Sequence, residues 1–183
     1  MPKELVTTDK CWYALRDLKR SNALLPAFMQ LRLMGVEVFT PTRWRMVVRG
    51  GKRERREVAV MHDLLFAYDT REALDPIIAK ISTLQYRYKK GGKYCEAIVV
   101  SDDDMARFID AVRASDEPRF YTPEELSILK CGQRIRIVGG QMNGCEGTLL
   151  SVRGSKFKRL LVELPNLLAV SVEIKDNEYI QIV

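Results

Sequence analysis

Seven cationic side chains fall within fourteen residues: Arg43, Arg45, Arg49, Lys52, Arg53, Arg55 and Arg56, offset only by Glu54 and Glu57. Charge at this density attracts a phosphate backbone, because each neutralised phosphate releases condensed counterions. Trp44 stands among the arginines. Its ring could stack on an unpaired base or anchor the segment to a neighbouring sheet. A solvated hairpin tip would carry the same charges, so DNA contact is one of two readings here.

Reaction chemistry has little to work with. His62, beside Asp63, is the only imidazole, and no nucleophile stands at a spacing that would make it a base. Asp102, Asp103 and Asp104 could suggest a metal, but three acids after Ser101 are what a helix N-terminus favours. Cys11, Cys95, Cys131 and Cys145 are widely spaced and form no C-x-x-C pair, which excludes a zinc knuckle and a dithiol redox motif. The expectation is a protein without catalysis, cofactor or metal.

Net charge is +6, and its distribution is uneven. Residues 1–60 carry +7, residues 61–128 carry −4 and residues 129–183 carry +3. A local surplus suits one or two polyanion contacts better than a uniformly basic coat. No apolar run approaches the ~20 residues needed to cross a bilayer, and the N-terminus has no signal core. A cytoplasmic monomer with reduced thiols is expected.

The elements that would position these residues are legible from periodicity. Cys11 to Leu15 has the aromatic bias of a strand. Ser21 can cap a helix over residues 22–34, where Leu24, Phe28, Leu31 and Met34 recur at helical spacing before Gly35. Val36 to Thr40 alternates as a strand. Arg45 to Val48 and Glu57 to Val60 flank a charged tip as a hairpin. Leu64 to Tyr68 reads as a central strand, Thr70 caps a helix over 71–80, and Leu84 to Tyr88 and Ala97 to Val100 are further strands. A helix follows from the three acids to about Ala114. The class is α+β, with helices outside a mainly antiparallel sheet. Pro118, Pro123 and several acids mark residues 116–128 as a linker.

Beyond the linker, Gly132 to Leu150 interleaves glycines with an alternating strand. Ile135 and Ile137 face one way, Arg134 and Arg136 the other, and Gly139, Gly140, Gly144 and Gly147 follow. With Thr148, Leu149, Leu150, Ser151 and Val152 after them, these residues resemble a KOW motif, the core of a small SH3-like barrel.

In the first domain, Trp12 and Tyr13 open a strand, a helix ends at Gly35, a strand ends at Pro41, and Val48-Arg49-Gly50-Gly51-Lys52-Arg53 precedes an apolar strand. That order resembles the NGN domain of NusG and its specialised paralogue RfaH. The pair of motifs covers almost the whole chain and is most similar to the UpxY-type paralogues of capsular polysaccharide operons. One stretch departs from the pattern: where the family reads Pro-Leu-Phe-Pro-x-Tyr, this chain has Ala59-Val60-Met61-His62-Asp63-Leu64.

The resemblance implies an α+β NGN domain over residues 1–115, a linker over 116–128 and an all-β KOW barrel over 129–183. It further implies a transcription elongation and antitermination factor that binds the clamp helices of RNA polymerase and meets upstream or non-template DNA. Trp12, Tyr13, Met61, Leu64 and Phe66 become the polymerase-contact candidates, with Tyr86 and Tyr88 behind them; sheet core is the alternative for each. The cationic segment becomes the DNA contact. In the barrel, Asn166, Leu167 and Leu168 are candidates for binding ribosomal protein S10 or the termination factor Rho, with barrel packing as the alternative for Leu168. Lys156, Lys158 and Arg159 form a basic run nearby. An RNA-binding or ribosome-associated KOW protein is the competing class. It would explain the charge and the barrel but not the domain in front of them.

Overall fold

A computed structural model describes residues 9–19, 23–91, 95–129, 131–151, 154 and 156–183, with only the backbone of Cys131. Ser21, the expected helix cap, and Val152 lie outside these residues. The chain is α+β and divides into two compact units, Met1–Ser101 and Asp102–Val183.

The first unit runs β1 (Cys11–Asp17), α1 (Ala27–Leu33), β2 (Glu37–Phe39), β3 (Thr42–Arg49), β4 (Lys52–Ala59), β5 (Leu65–Asp69), α2 (Arg71–Lys80), β6 (Leu84–Tyr86) and β7 (Val99–Val100). Its main sheet is antiparallel in the order β2-β5-β1-β6, with β7 also paired to β1. Side chains alternate across a strand, so Tyr13 and Leu15 share a face with their partners Ala67 and Leu65. Ala27, Phe28 and Leu31 of α1 and Leu74 of α2 pack on that face and close the core. Each large aliphatic side chain buried there contributes about 1.5–3 kcal/mol.

Local signals fix the helices. Thr70 caps α2 by accepting the Ala73 N–H at 3.2 Å. α1 is shorter than the apolar period suggests. It begins after Pro26, whose extended backbone starts the first turn, and the Asp17 carboxylate accepts the Ala27 N–H at 2.8 Å.

The second unit runs α3 (Asp102–Ala114), β8 (Arg119–Tyr121), α4 (Pro123–Leu126), β9 (Cys131–Val138), β10 (Glu146–Ser151), β11 (Lys158–Leu164), β12 (Leu168–Glu173) and β13 (Tyr179–Ile182). These strands form one antiparallel sheet ordered β13-β9-β10-β11-β12-β8. Gly147 sits where β10 meets β11 so closely that a Cβ would lie 2.2 Å from the Leu161 carbonyl oxygen. Only glycine fits there.

Three expectations about this half need correction. Residues 116–128 are not an open linker, because β8 pairs with β12 and Thr122 caps α4 with a reciprocal Glu125 bond. The helix after Ser101 belongs to the second unit, where it packs on β11 and β12, so the unit boundary falls at 101/102 and not at 115/116. The second unit is therefore not all-β, and the described sheet ends on β8 instead of closing into a barrel. Arg159 explains the attachment of β8. Its buried guanidinium donates to Ser171 Oγ at 2.9 Å, to the Ser171 carbonyl at 2.9 Å and to the Glu117 carbonyl at 3.0 Å. A buried cation needs such partners, and they tie residue 117 to the sheet.

Candidate nucleic-acid interface

The cationic segment folds as a separate two-stranded ribbon, β3 against β4, in register from Thr42 opposite Ala59 to Arg49 opposite Lys52. The ladder continues past its root through the Val60 N–H to the Pro41 carbonyl at 2.8 Å. Gly50 and Gly51 alone make the turn, with φ of 52° and 76°. Two successive positive φ angles match the twist of the flanking strands and make a tight hairpin. The charges expected in a long loose tip therefore lie in strand, at defined positions.

Register sorts them onto two faces. Arg43, Arg45, Arg49, Lys52 and Arg56 share one face with Val47, Val58 and Glu54. Trp44, Met46 and Val48 share the other with Arg53, Arg55 and Glu57. The apolar trio stays open to solvent at 60%, 63% and 67%. Arg55 stacks over the Trp44 ring, 4.9 Å from its centroid. On the first face Arg45 and Arg56 stand directly opposite each other, an arrangement that costs stability in isolation. Glu54 lies 3.6 Å from Arg56, and Glu57 is engaged at the root by Thr42 at 2.6 Å and Arg32 at 3.6 Å. The arrangement suits a ligand that brings many negative charges of its own.

The expected polymerase patch does not form one surface. Trp12 and Tyr13 are consecutive in β1 and point to opposite faces. Tyr13 and Tyr86 belong to the core beneath α1 and α2, with ring centroids 5.6 Å apart. Tyr86 also donates to Asp75 at 2.8 Å, and burial first, then this carboxylate, push its phenol far above its ordinary value. Trp12 and Phe66 lie on the opposite face with Tyr68, whose ring is 5.1 Å from Trp12. Trp12, Leu64 and Phe66 are buried, Met61 is half-buried, and Tyr88 is exposed.

In the second unit, Leu164 to Leu167 form a tight turn, with the Leu167 N–H on the Leu164 carbonyl at 3.1 Å and Asn166 at φ 61°. Proline then a positive-φ asparagine is the signature of a type II turn. It exposes Pro165 and Asn166 but turns Leu167 and Leu168 inward, to 5% and 0% exposure. The expected apolar docking loop thus reduces to Asn166. Arg134 and Arg136 flank Glu146, whose carboxylate accepts from Arg136 Nε at 2.9 Å and from Arg134 at 3.3 Å. These bonds, Arg136 foremost, hold Glu146 below the usual carboxylate range. Of the basic run, Arg159 is structural, while Lys156 and Lys158 remain exposed.

Among the described residues no group of three or more His, Cys, Asp or Glu side chains could hold a metal ion, and no helix is long and apolar enough to cross a membrane. Sequence reasoning missed the facial segregation of the hairpin. The signal was available, since alternating Arg43, Arg45 and Trp44, Met46, Val48 already has period two. Compared with known proteins, the chain matches no family model and no curated protein.

Proposed function

We propose that this chain is a transcription elongation factor. It reaches nucleic acid through the β3–β4 hairpin and RNA polymerase, at the clamp helices, through the sheet face that carries Trp12, Phe66 and Tyr68. The observation that carries the reading is the hairpin: a two-stranded ribbon between β2 and β5 in the chain, with five cations on one face. Further support comes from a second unit whose strands β9 to β12 follow one another as antiparallel neighbours, with Gly147 at their closest approach. This is compatible with an NGN-like domain followed by a KOW-like one.

Such a factor works by binding. Holding two parts of a hinged enzyme favours the closed state only as far as it binds that state better than the open one. The hairpin is presented as it stands, whereas contact through Trp12 and Phe66 requires their exposure. The finer assignment, antitermination on particular operons such as capsular loci, rests on the sequence resemblance. Incubating the purified full chain with stalled elongation complexes and following co-migration tests the reading. Co-migration that is lost when Arg43, Arg45, Arg49, Lys52 and Arg56 become Gln supports it, and failure to bind polymerase or nucleic acid at all contradicts it.

A further inference from the structure

The sheet of the second unit ends on two unlike edges, β8 and β13. β8 is short, carries Arg119 and stands between Pro118 and Pro123. Brevity, charge and proline are the devices that keep an edge strand from pairing with another chain. β13 lacks both charge and proline: Tyr179, Ile180, Gln181 and Ile182 run uncharged into Val183. Among the described residues β9 is the only strand it pairs with.

The ladder decides which backbone groups face the open side. Ile137 of β9 turns away from β13, since its N–H donates to the Cys145 carbonyl at 2.9 Å and its carbonyl accepts the Gly144 N–H at 2.8 Å. The Val183 N–H, by contrast, donates inward to the Arg134 carbonyl at 3.2 Å. Opposed residues in an antiparallel pair alternate between bonded and unbonded. Tyr179, Gln181 and Val183 therefore bond toward β9, while Ile180 and Ile182 present their N–H and C=O groups to the open edge.

One register lets a second copy of the same strand take up all of these groups. Antiparallel pairing about a two-fold axis at Gln181 sets Ile180 opposite Ile182 of the second copy and Ile182 opposite its Ile180. The side chains agree on both faces. Ile180 and Ile182 stand beside the buried Ile137 and Ile135, yet Ile182 is 67% exposed, and Ile180 of the second copy would cover it. On the other face Tyr179, 72% exposed, comes opposite Val183 of the second copy, an aromatic against a β-branched side chain. Gln181 meets itself, and its amide both donates and accepts. Arg134 and Arg136 on that face already share Glu146.

We infer that β13 is a homodimerisation edge, at which two copies of this chain pair antiparallel about Gln181 and continue the sheet. A two-fold contact needs a patch complementary to itself, and this strand supplies one. Strands this short bury well under the roughly 1,600 Å² of a standard interface, so the dimer is weak and dissociates on dilution. The inference does not depend on the nucleic-acid reading of the hairpin.

The test is sedimentation velocity of the full chain over a wide concentration range, with the folding of every variant checked by thermal melting. The wild type should pass from monomer to dimer as concentration rises. Gln181→Glu sets two carboxylates face to face at the axis while giving Arg136 a counter-charge within its own chain, and should weaken association at least about tenfold. Mixing that variant with Gln181→Lys should restore the dimer. Ile182→Pro removes an outward N–H and leaves the bonds to β9 in place, so it should weaken association to a similar degree. Under mild oxidation Gln181→Cys should crosslink to itself, since an unbonded pair sits about 4.5 Å apart, within disulfide reach. Tyr179→Cys should not, and the wild type is the blank for the native thiols. A chain that stays monomeric at every concentration overturns the inference and leaves the edge to a strand from another protein. A dimer indifferent to the Gln181 and Ile182 variants, or crosslinking through Tyr179→Cys instead, overturns it as well.

Discussion

Arg45 and Arg56 stand opposite each other across the β3–β4 ladder, two cations facing one another on a separate two-stranded ribbon. Like charges in directly opposed positions destabilise a sheet by a few tenths to about 1 kcal/mol. Replacing Arg45 by Thr should therefore raise stability slightly and weaken binding to single-stranded DNA. Denaturant melts and binding isotherms on the same preparation check both signs. If stability falls and binding is unchanged, the pair has a structural role and no ligand.

The remaining cations of that face predict a salt dependence. With Arg43, Arg45, Arg49, Lys52 and Arg56 all changed to Gln, the slope of log K against log salt should shrink by up to about 3.5, at about 0.7 per phosphate released from a single strand. Titrations at four or five ionic strengths measure it. An unchanged slope returns the hairpin to a solvated tip.

Gly147 predicts a steric limit in the second unit. A Cβ there would meet the Leu161 carbonyl at 2.2 Å, so Gly147→Ala must push β10 and β11 apart. Overpacking of this kind costs about 1–3 kcal/mol. Urea melts should show a lower midpoint at unchanged slope. A midpoint equal to wild type would mean that the two strands do not approach as described.

Arg159 predicts how β8 is held. Arg159→Leu leaves the Glu117 and Ser171 carbonyls without their donor, a loss of about 2–3 kcal/mol for hydrogen bonds to a buried charge. Hydrogen exchange should then quicken at Arg119 to Tyr121 well before it quickens in β10 and β11. Uniform loosening of the whole sheet would refute a local anchor.

Glu146 predicts a pH dependence by its sign. Its carboxylate is held below the ordinary range by Arg136 and Arg134, so the unfolded state binds the proton more readily. The stability it contributes is complete above the unfolded value and is lost as pH falls through the folded one. Glu146→Gln should flatten stability against pH in the acid range and change little at neutrality. Acid melts of the two proteins compare the slopes directly.

Much of this architecture could be read from the residues, and the misreadings have identifiable causes. The strands at Cys11 and Leu65 and the Thr70-capped α2 carry strong local patterns, and they stand within a residue or two of expectation. β8 does not. Its three residues gain their place by pairing with β12, some fifty positions away, from the buried Arg159 and from the Phe108 ring beside Phe120. Leu167 and Leu168 were partner-contact candidates by resemblance alone, with no local pattern to say which way they point. The positive φ at Asn166 gives the turn but points both leucines inward. Trp12 and Tyr13 were grouped as neighbours in sequence when the period of a strand separates them by a whole sheet.

The most direct test of the central claim is transcription in a purified system with stalled elongation complexes, a defined pause and an excess of the four nucleotides. Full-length protein should shorten the pause and raise readthrough, and the effect should saturate at one factor per complex without any cofactor. The five-fold Gln variant of the hairpin, confirmed as folded, should lose most of that effect. No change in pausing with the wild-type chain bound, or full activity in the folded variant, would contradict the account.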